Sequence, residues 1–168
     1  MNLTLTENGF RRNLPLVLLV IAAVALGSAY IAEFVYDLKP CTLCLYQRIP
    51  FAVIGILGVA AYLFNNDKTI ILVTFAAGLV LLASSGLALY HVGVEQNWWA
   101  SATLCGTNAP DYILTMNQFH ALLKQKPVIA CDDVAWKIFG ISMAAYNAGL
   151  SLFLGLGVLW IANRMRCF

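Results

Sequence analysis

The chain has 168 residues, of which 61% are hydrophobic and 11% are charged, with a formal net charge of +2 and a mean hydropathy of +0.80. A soluble domain is about 45–50% apolar and about 25% charged, so this composition leaves too few polar side chains to cover a surface in water. It excludes a soluble enzyme and a disordered chain, and the small net charge excludes a nucleic-acid binder. The length suits a single domain, residues 1–168, and the composition indicates an integral membrane protein.

Four stretches are long and apolar enough to cross a lipid bilayer as helices, because about 20 residues rising about 1.5 Å each span a hydrocarbon core of about 30 Å. They cover approximately residues 13–32, 44–64, 69–90 and 139–162. Backbone groups in lipid must pair within their own segment, which favours helices over open strands. We therefore predict an all-α membrane protein, a four-transmembrane-helix bundle with a long loop between helices 3 and 4. The first stretch is interpreted as an uncleaved anchor, since it is about twice as long as a signal-peptide core.

Four spans place the segments 33–43 and 91–138 on one side of the membrane, and both termini on the other. Lysine and arginine are equally shared between the two sides, but those near the termini lie tight against the spans, where the positive-inside bias acts. We therefore expect both termini in the cytoplasm and the two longer segments outside, with Trp98 and Trp99 at the outer interface. Four of the five cysteines then face an oxidising compartment, whereas Cys167 is expected to be a reduced cytoplasmic thiol.

The first cysteine pair lies in Lys39-Pro40-Cys41-Thr42-Leu43-Cys44, directly before the second span. Pro40 disfavours a helix at the residue before it, so a helix is expected to begin near Cys41. Cys44 would lie in the first helical turn with Arg48 one turn further on the same face, and both features lower the pKa of a thiol. The pair is therefore a candidate for thiol–disulfide exchange. A zinc site is the alternative, but a structural zinc needs four ligands in a closed shell, and no metal is expected.

The second pair, Cys105 and Cys131, brackets residues 106–130 of the long outer segment. Taken alone, this pair is most simply a stabilising disulfide. If both pairs are redox-active, they store only four electrons and need an external acceptor. The sequence has no dinucleotide, haem or iron–sulfur motif, so a quinone dissolved in the lipid fits best. Its carbonyl oxygens would need a cationic or hydrogen-bonding partner, for which Arg48 and His91 are the candidates.

The ordered set Lys39-Pro40-Cys41-x-x-Cys44-x-Tyr46-x-Arg48, Tyr90-His91 and the later Cys105…Cys131 pair resembles the bacterial disulfide bond formation protein B family, DsbB, over nearly the whole chain. The resemblance implies a four-helix protein of the bacterial inner membrane whose outer segments are periplasmic. It also implies that the protein reoxidises a soluble thioredoxin-fold dithiol oxidase, DsbA, with membrane quinone (ubiquinone or menaquinone) as the electron acceptor.

The resemblance also implies a role for each cysteine of the two pairs. Cys105 would form the mixed disulfide with the reduced partner, and Cys131 would then exchange with Cys41. Cys44 would pass the electrons to the quinone. The predicted activity is that of a thiol:quinone oxidoreductase of periplasmic disulfide formation.

In the same pattern Arg48 would orient the quinone, and His91 would line its pocket. No role is given to Gln47, nor to Glu33 and Glu95 at the outer ends of the helices. Two alternatives stay open. One is a non-catalytic four-span protein whose outer segments are joined by two structural disulfides, and the other is a reductase of the vitamin K epoxide reductase type.

Overall fold

The computed structural model describes residues 3–99 and 137–166, and within them the chain forms four long helices and one small hairpin. The helices are α1 (Leu3–Phe34), α2 (Thr42–Phe64), α3 (Asp67–Glu95) and α4 (Met143–Arg166). The two-residue strands β1 (Lys137–Ile138) and β2 (Ile141–Ser142) pair in antiparallel orientation just before α4. The predictions for Cys105, Cys131, Cys167 and the greater part of the long loop concern residues outside this description.

The four helices are long and apolar enough to cross a membrane, over Arg12–Phe34, Thr42–Phe64, Asp67–Glu95 and Met143–Arg166. Large apolar side chains cover their outward faces, and Val24, Ile56, Leu72 and Phe153 are each at least 66% exposed. Such a surface is unfavourable in water but suits contact with lipid chains. The predicted all-α architecture with four transmembrane helices is confirmed.

Asn65 and Asn66 make the tight turn between α2 and α3. Asn65 ends α2 in the left-handed conformation (φ 39°, ψ 40°), and its backbone N–H donates to the carbonyl of Ala61 at 3.1 Å. The side chain of Asn66 begins α3 by accepting a 2.8 Å hydrogen bond from the N–H of Thr69. Asparagine suits both positions because it tolerates the left-handed conformation and caps helices well. The turn makes α2 and α3 antiparallel, so the start of α2 and the end of α3 meet at one end of the bundle.

Small residues allow α3 and α4, which form the most extensive interface among the described helices, to approach closely. A Cβ atom added at Gly78 of α3 would lie 2.7 Å from the side chain of Leu159 in α4. A Cβ atom added at Gly155 of α4 would likewise lie 3.0 Å from the side chain of Leu82 in α3. Because lipid removes the hydrophobic driving force between helices, such close packing is a main source of cohesion in a membrane bundle.

The end of α3 differs from the prediction. The helix continues to Glu95 rather than ending at residue 90, so His91 and Glu95 lie within it, one turn apart. Trp99 folds back over this last turn, where its Nε1 donates to the carbonyl of Tyr90 at 3.1 Å. Its ring covers Gly93, and a Cβ at that position would collide with ring atoms of Trp99. The glycine and the tryptophan together fix how the chain leaves the helix.

The start of α4 also differs, because the helix begins at Met143 and not at residue 139. Phe139 and Gly140 have positive φ angles of 51° and 81°, which a right-handed helix does not allow, and they form the turn of the hairpin. The hydroxyl of Ser142 then accepts from the N–H of Ala145 at 3.2 Å and caps the helix. A serine directly before the helical run was the sequence signal for this boundary.

Candidate redox site

A cavity of about 430 Å³ lies at the end of the bundle where α1 and α3 finish and α2 and α4 begin. This volume falls within the range of about 300–1,000 Å³ that is usual for small-molecule sites. Apolar residues of α1 such as Leu26 and Ala29 form one wall. The polar groups of the other walls include Cys41, Cys44, Gln47, Arg48, His91, Glu95 and Asn147. The structure thus brings four of the six predicted site residues (Cys41, Cys44, Arg48, His91) to one cavity.

The cysteine pair forms the N-terminal cap of α2. Cys41 is the capping residue, with extended backbone angles (φ −74°, ψ 170°), and its Sγ accepts a 3.3 Å hydrogen bond from the backbone N–H of Cys44. Cys44 therefore lies in the first turn, at the positive end of the helix dipole, as predicted. The two Sγ atoms are 2.9 Å apart and are not joined by a disulfide. Cys41 is buried and Cys44 is half-buried, so Cys44 is the sulfur more accessible from the cavity.

Cys41 is held in its neutral thiol form. Its thiol donates a hydrogen bond to Cys44 Sγ and is buried, and these two effects raise the pKa of Cys41 from 9.0 to about 12. Hydrogen bonds with His91 and with the backbone N–H of Cys44 act in the opposite direction but are smaller in effect. The thiol that donates also stabilises negative charge on the sulfur that accepts. The two sulfurs of the pair therefore differ, because Cys41 donates the hydrogen bond between them and Cys44 accepts it.

Arg48 lies one turn after Cys44 and is paired with Glu33 at the end of α1. Its Nη1 donates to Glu33 Oε2 at 2.6 Å, with both side chains mostly removed from solvent. The guanidinium carbon also lies 4.9 Å from the centre of the Tyr30 ring, which adds a cation–π contact. A guanidinium has five N–H donors, so the pairing with Glu33 leaves capacity for a ligand in the cavity. Sequence reasoning missed Glu33, because a carboxylate at a helix end is ordinary when its partner is unknown.

His91 is buried, and its two ring nitrogens face different groups. Nδ1 lies 2.7 Å from Gln47 Nε2, and Nε2 lies 3.5 Å from Cys41 Sγ. An amide nitrogen can only donate, so Nδ1 is the acceptor and Nε2 carries the proton in this arrangement. His91 is therefore placed to donate a hydrogen bond from Nε2 toward the sulfur of Cys41. The prediction that placed His91 at the depth of Arg48 agrees with the cavity they share.

A chain of polar side chains continues from His91 across α2 to α4. Gln47 Oε1 accepts from Asn147 Nδ2 at 2.8 Å, and Asn147 Oδ1 accepts from the hydroxyl of Ser151 at 3.2 Å. Gln47 and Ser151 are buried, so these hydrogen bonds replace contacts with water that are not available. Sequence reasoning missed Gln47 and Asn147. The signal that could have found them was the presence of amide side chains within apolar spans, where polar residues are costly.

Glu95 is the third group that the prediction left without a role. Its Oε1 lies 3.8 Å from His91 Nε2, one helical turn away, and its side chain is only 6% exposed. Among the described residues its Oε2 has no hydrogen-bond partner. A buried carboxylate oxygen without a partner is costly in free energy, so it marks a place where a ligand or ion gains stabilisation.

Three groups of this site could also hold a metal ion. Cys41, Cys44 and His91 each offer one ligand atom, and these atoms lie within 4.8 Å of one another. Thiolate and imidazole are the ligands preferred by zinc and other soft cations.

The chain is similar to known proteins over most of its length. Residues 11–161 match the family model of disulfide bond formation protein DsbB. The disulfide bond formation protein B of Marinobacter nauticus is 32% identical over 86% of this chain and 88% of its own length. The protein of that name from Hahella chejuensis is 29% identical over 80% of this chain and 82% of its own. An uncharacterized protein of Rickettsia prowazekii, RP370, is 32% identical over 93% and 95% of the two chains. No solved structure gives a significant match.

A limiting amount of iodoacetamide should label Cys44 before Cys41 in the reduced protein at pH 8. A pKa of about 12 leaves Cys41 with fewer than about one thiolate in a thousand at this pH, compared with roughly one in ten for a thiol of pKa 9.0. Raising the pH toward 12 should raise the labelling of Cys41. Fragmentation of the peptide 40–48 by mass spectrometry locates the label. In the unfolded protein both cysteines should react at similar rates, and equal or faster labelling of Cys41 in the folded protein would contradict the assignment.

Proposed function

The chain belongs to the DsbB family of disulfide bond formation proteins, and we propose that it is a thiol:quinone oxidoreductase that reoxidises a DsbA-like dithiol oxidase outside the membrane. The single observation that supports this most strongly is the cavity at which Cys41 and Cys44 meet a cation and a buried histidine. Two thiols that form a disulfide release two electrons and two protons. The site therefore needs an acceptor that takes up both.

A quinone supplies that chemistry, since it accepts two electrons and two protons to become a quinol. The cavity suits a ring of this kind, because its α1 wall is apolar and its α2 and α3 walls carry hydrogen-bond donors. Arg48 would hold a carbonyl oxygen, on which negative charge develops during reduction, and His91 would line the same pocket. Ubiquinone and menaquinone each carry two carbonyl groups on opposite sides of the ring, so the proposal covers either.

The two cysteines have different tasks in this proposal. Cys44, at the start of α2 and on the cavity wall, donates the electrons as a thiolate. Cys41 keeps its proton until its sulfur bonds to Cys44, and the proton is then available to the reduced quinone. In the reverse exchange, a thiolate that attacks Cys41 Sγ breaks the bond between the two sulfurs and expels Cys44. The helix dipole and the nearby charge of Arg48 favour that leaving group.

The second pair would connect this site to the protein partner. By position in the family pattern, Cys105 receives electrons from the reduced dithiol oxidase through a mixed disulfide, and Cys131 passes them to Cys41. This assignment requires that the start of α2 faces the periplasm, with both termini in the cytoplasm of the bacterium. Support for that orientation comes from Arg164 and Arg166, which lie in the last turn of α4 at the opposite end of the bundle.

The site carries features that distinguish it from a protein with structural disulfides alone. A protein that only joins its outer segments by structural disulfides has no use for a buried histidine at 3.5 Å from Cys41, nor for a cavity beside the pair. A reductase of the vitamin K epoxide reductase type would pass electrons from thiols to its bound substrate along a similar route, but its task is the reduction of that substrate rather than the formation of disulfides in other proteins. Family membership favours disulfide bond formation as the task.

Turnover of the purified full-length protein tests the proposal. The protein in lipid nanodiscs, mixed with excess reduced thioredoxin-fold dithiol oxidase and ubiquinone, should oxidise one dithiol for each quinol formed. The Cys44→Ser variant should lose this activity, whereas Cys167→Ser should keep it, since the tail thiol is expected on the other side of the membrane. Oxidation of the partner that proceeds equally without quinone, or in Cys44→Ser, would refute the proposed activity.

Substitutions at the ion pair should change the Michaelis constant KM for quinone in opposite directions. Arg48→Leu removes a charged hydrogen bond worth about 1.5–3 kcal/mol and should raise KM about 10- to 100-fold. Glu33→Gln keeps an oxygen that accepts from Arg48 Nη1 but removes the compensating charge, so KM should fall. Steady-state kinetics at varied quinone concentration measure both. An unchanged KM in Arg48→Leu would place the quinone elsewhere.

A further inference from the structure

The start of α2 and the end of α3 hold the donor atoms of a metal site as well as those of an electron-transfer site. We propose that the dithiol form of the protein binds one Zn²⁺ or a similar divalent cation through Cys41 Sγ, Cys44 Sγ, His91 Nε2 and a carboxylate oxygen of Glu95. The bound cation holds the protein in its reduced form. The binding itself does not depend on the proposed function, whereas its inhibitory effect does.

The distances between the two cysteine sulfurs and the histidine nitrogen fit tetrahedral coordination of one zinc ion. With Zn–S of about 2.3 Å and Zn–N of about 2.0–2.1 Å, a tetrahedral zinc places a sulfur and a nitrogen ligand about 3.6 Å apart and two sulfur ligands about 3.8 Å apart. Cys41 Sγ and His91 Nε2 are 3.5 Å apart. The two sulfurs, now 2.9 Å apart, are drawn together by the proton they share and would separate by less than about 1 Å once the cation replaces it.

Glu95 gives an independent indication that the site lacks a charged ligand. Its carboxylate is buried, with Oε1 at 3.8 Å from His91 Nε2, and Oε2 has no partner among the described residues. Both residues line the same cavity as the cysteines. A tetrahedral zinc would hold nitrogen and oxygen ligands about 3.4 Å apart, which a small rotation of the glutamate provides. The cation would satisfy the carboxylate and the two thiolates together.

Gln47 allows His91 to act as a ligand. Zinc binds the lone pair of Nε2, so the ring proton must then reside on Nδ1. Half a turn of the Gln47 amide brings Oε1 opposite Nδ1 as an acceptor, in place of Nε2. Asn147 and Ser151 can reverse their hydrogen bonds in the same way, because amide and hydroxyl groups both donate and accept. A carbonyl oxygen that accepts from the second ring nitrogen is the usual support of a metal-bound histidine.

The binding step transfers no electrons. Zn²⁺ replaces the protons of the two thiols, which leave to water, and zinc has no redox chemistry of its own. The sulfur lone pairs are then engaged with the cation, so a disulfide between Cys41 and Cys44 does not form while zinc is bound. Oxidised protein has no thiolates at this position and offers no site. Free zinc outside the membrane would therefore stop the proposed reaction cycle at its reduced stage.

Cobalt(II) serves as the probe, because sulfur ligation gives it a charge-transfer band in the near ultraviolet and tetrahedral geometry gives it intense visible bands. The experiment uses the full-length chain in nanodiscs with Cys105, Cys131 and Cys167 changed to serine, so that only the first pair can bind. Reduced protein should take up one equivalent of Co²⁺ with both sets of bands, and Zn²⁺ should abolish them. The same protein with the Cys41–Cys44 disulfide formed should show neither, and this control needs no further substitution.

Variants assign the ligands. Cys44→Ser should weaken Zn²⁺ binding more than about a hundredfold, and Glu95→Gln and Gln47→Leu should weaken it about 10- to 100-fold while the sulfur band persists. Gln96→Leu, at an exposed position beside Glu95, is the matched control and should leave the affinity unchanged. Cobalt that binds without a sulfur band, or equally to reduced and oxidised protein, overturns the proposal. Turnover without metal tests the proposed function separately, so the two failures are distinguishable.

Discussion

The hydrogen bond between Gln47 and His91 is the interaction on which the rest of the site depends. Polar groups buried in an apolar bundle must form hydrogen bonds with one another, because lipid chains cannot form them and bulk water does not reach the site. Gln47 joins α2 to His91 on α3 and to Asn147 on α4, and it decides which ring nitrogen carries the proton. The same bond positions Nε2 beside Cys41. One amide thus connects three helices and orients the histidine beside the cysteine pair.

The site is asymmetric, and the asymmetry follows from the helix geometry. Cys41 caps α2 and stays protonated, whereas Cys44 lies in the first turn, where the helix dipole and the donated hydrogen bond both favour negative charge. Arg48 adds a positive charge that Glu33 partly compensates. A full positive charge without a partner would be costly at this depth. The ion pair with Glu33 therefore stabilises the arginine beside a cavity with an apolar wall.

The features that follow from local rules could be predicted from the sequence. The four spans follow from the lengths of the apolar runs, and the position of Cys44 in the first turn of α2 follows from Pro40 and the Cys-x-x-Cys spacing. Contacts between helices could not be predicted, since nothing in a single chain shows that Glu33 meets Arg48 or that Gln47 meets His91. The end of α3 was missed because Trp99 stabilises the last turn from outside it, through Tyr90 and Gly93.

Direct electron transfer from this pair to a quinone is the central claim, and a single turnover tests it without a protein partner. The full-length protein with serine at positions 105, 131 and 167 is reduced, freed of oxygen and mixed with one equivalent of ubiquinone. The account predicts one quinol per protein, the loss of two thiols and a disulfide between Cys41 and Cys44. Two persistent thiols and unreduced ubiquinone in correctly folded protein would contradict it.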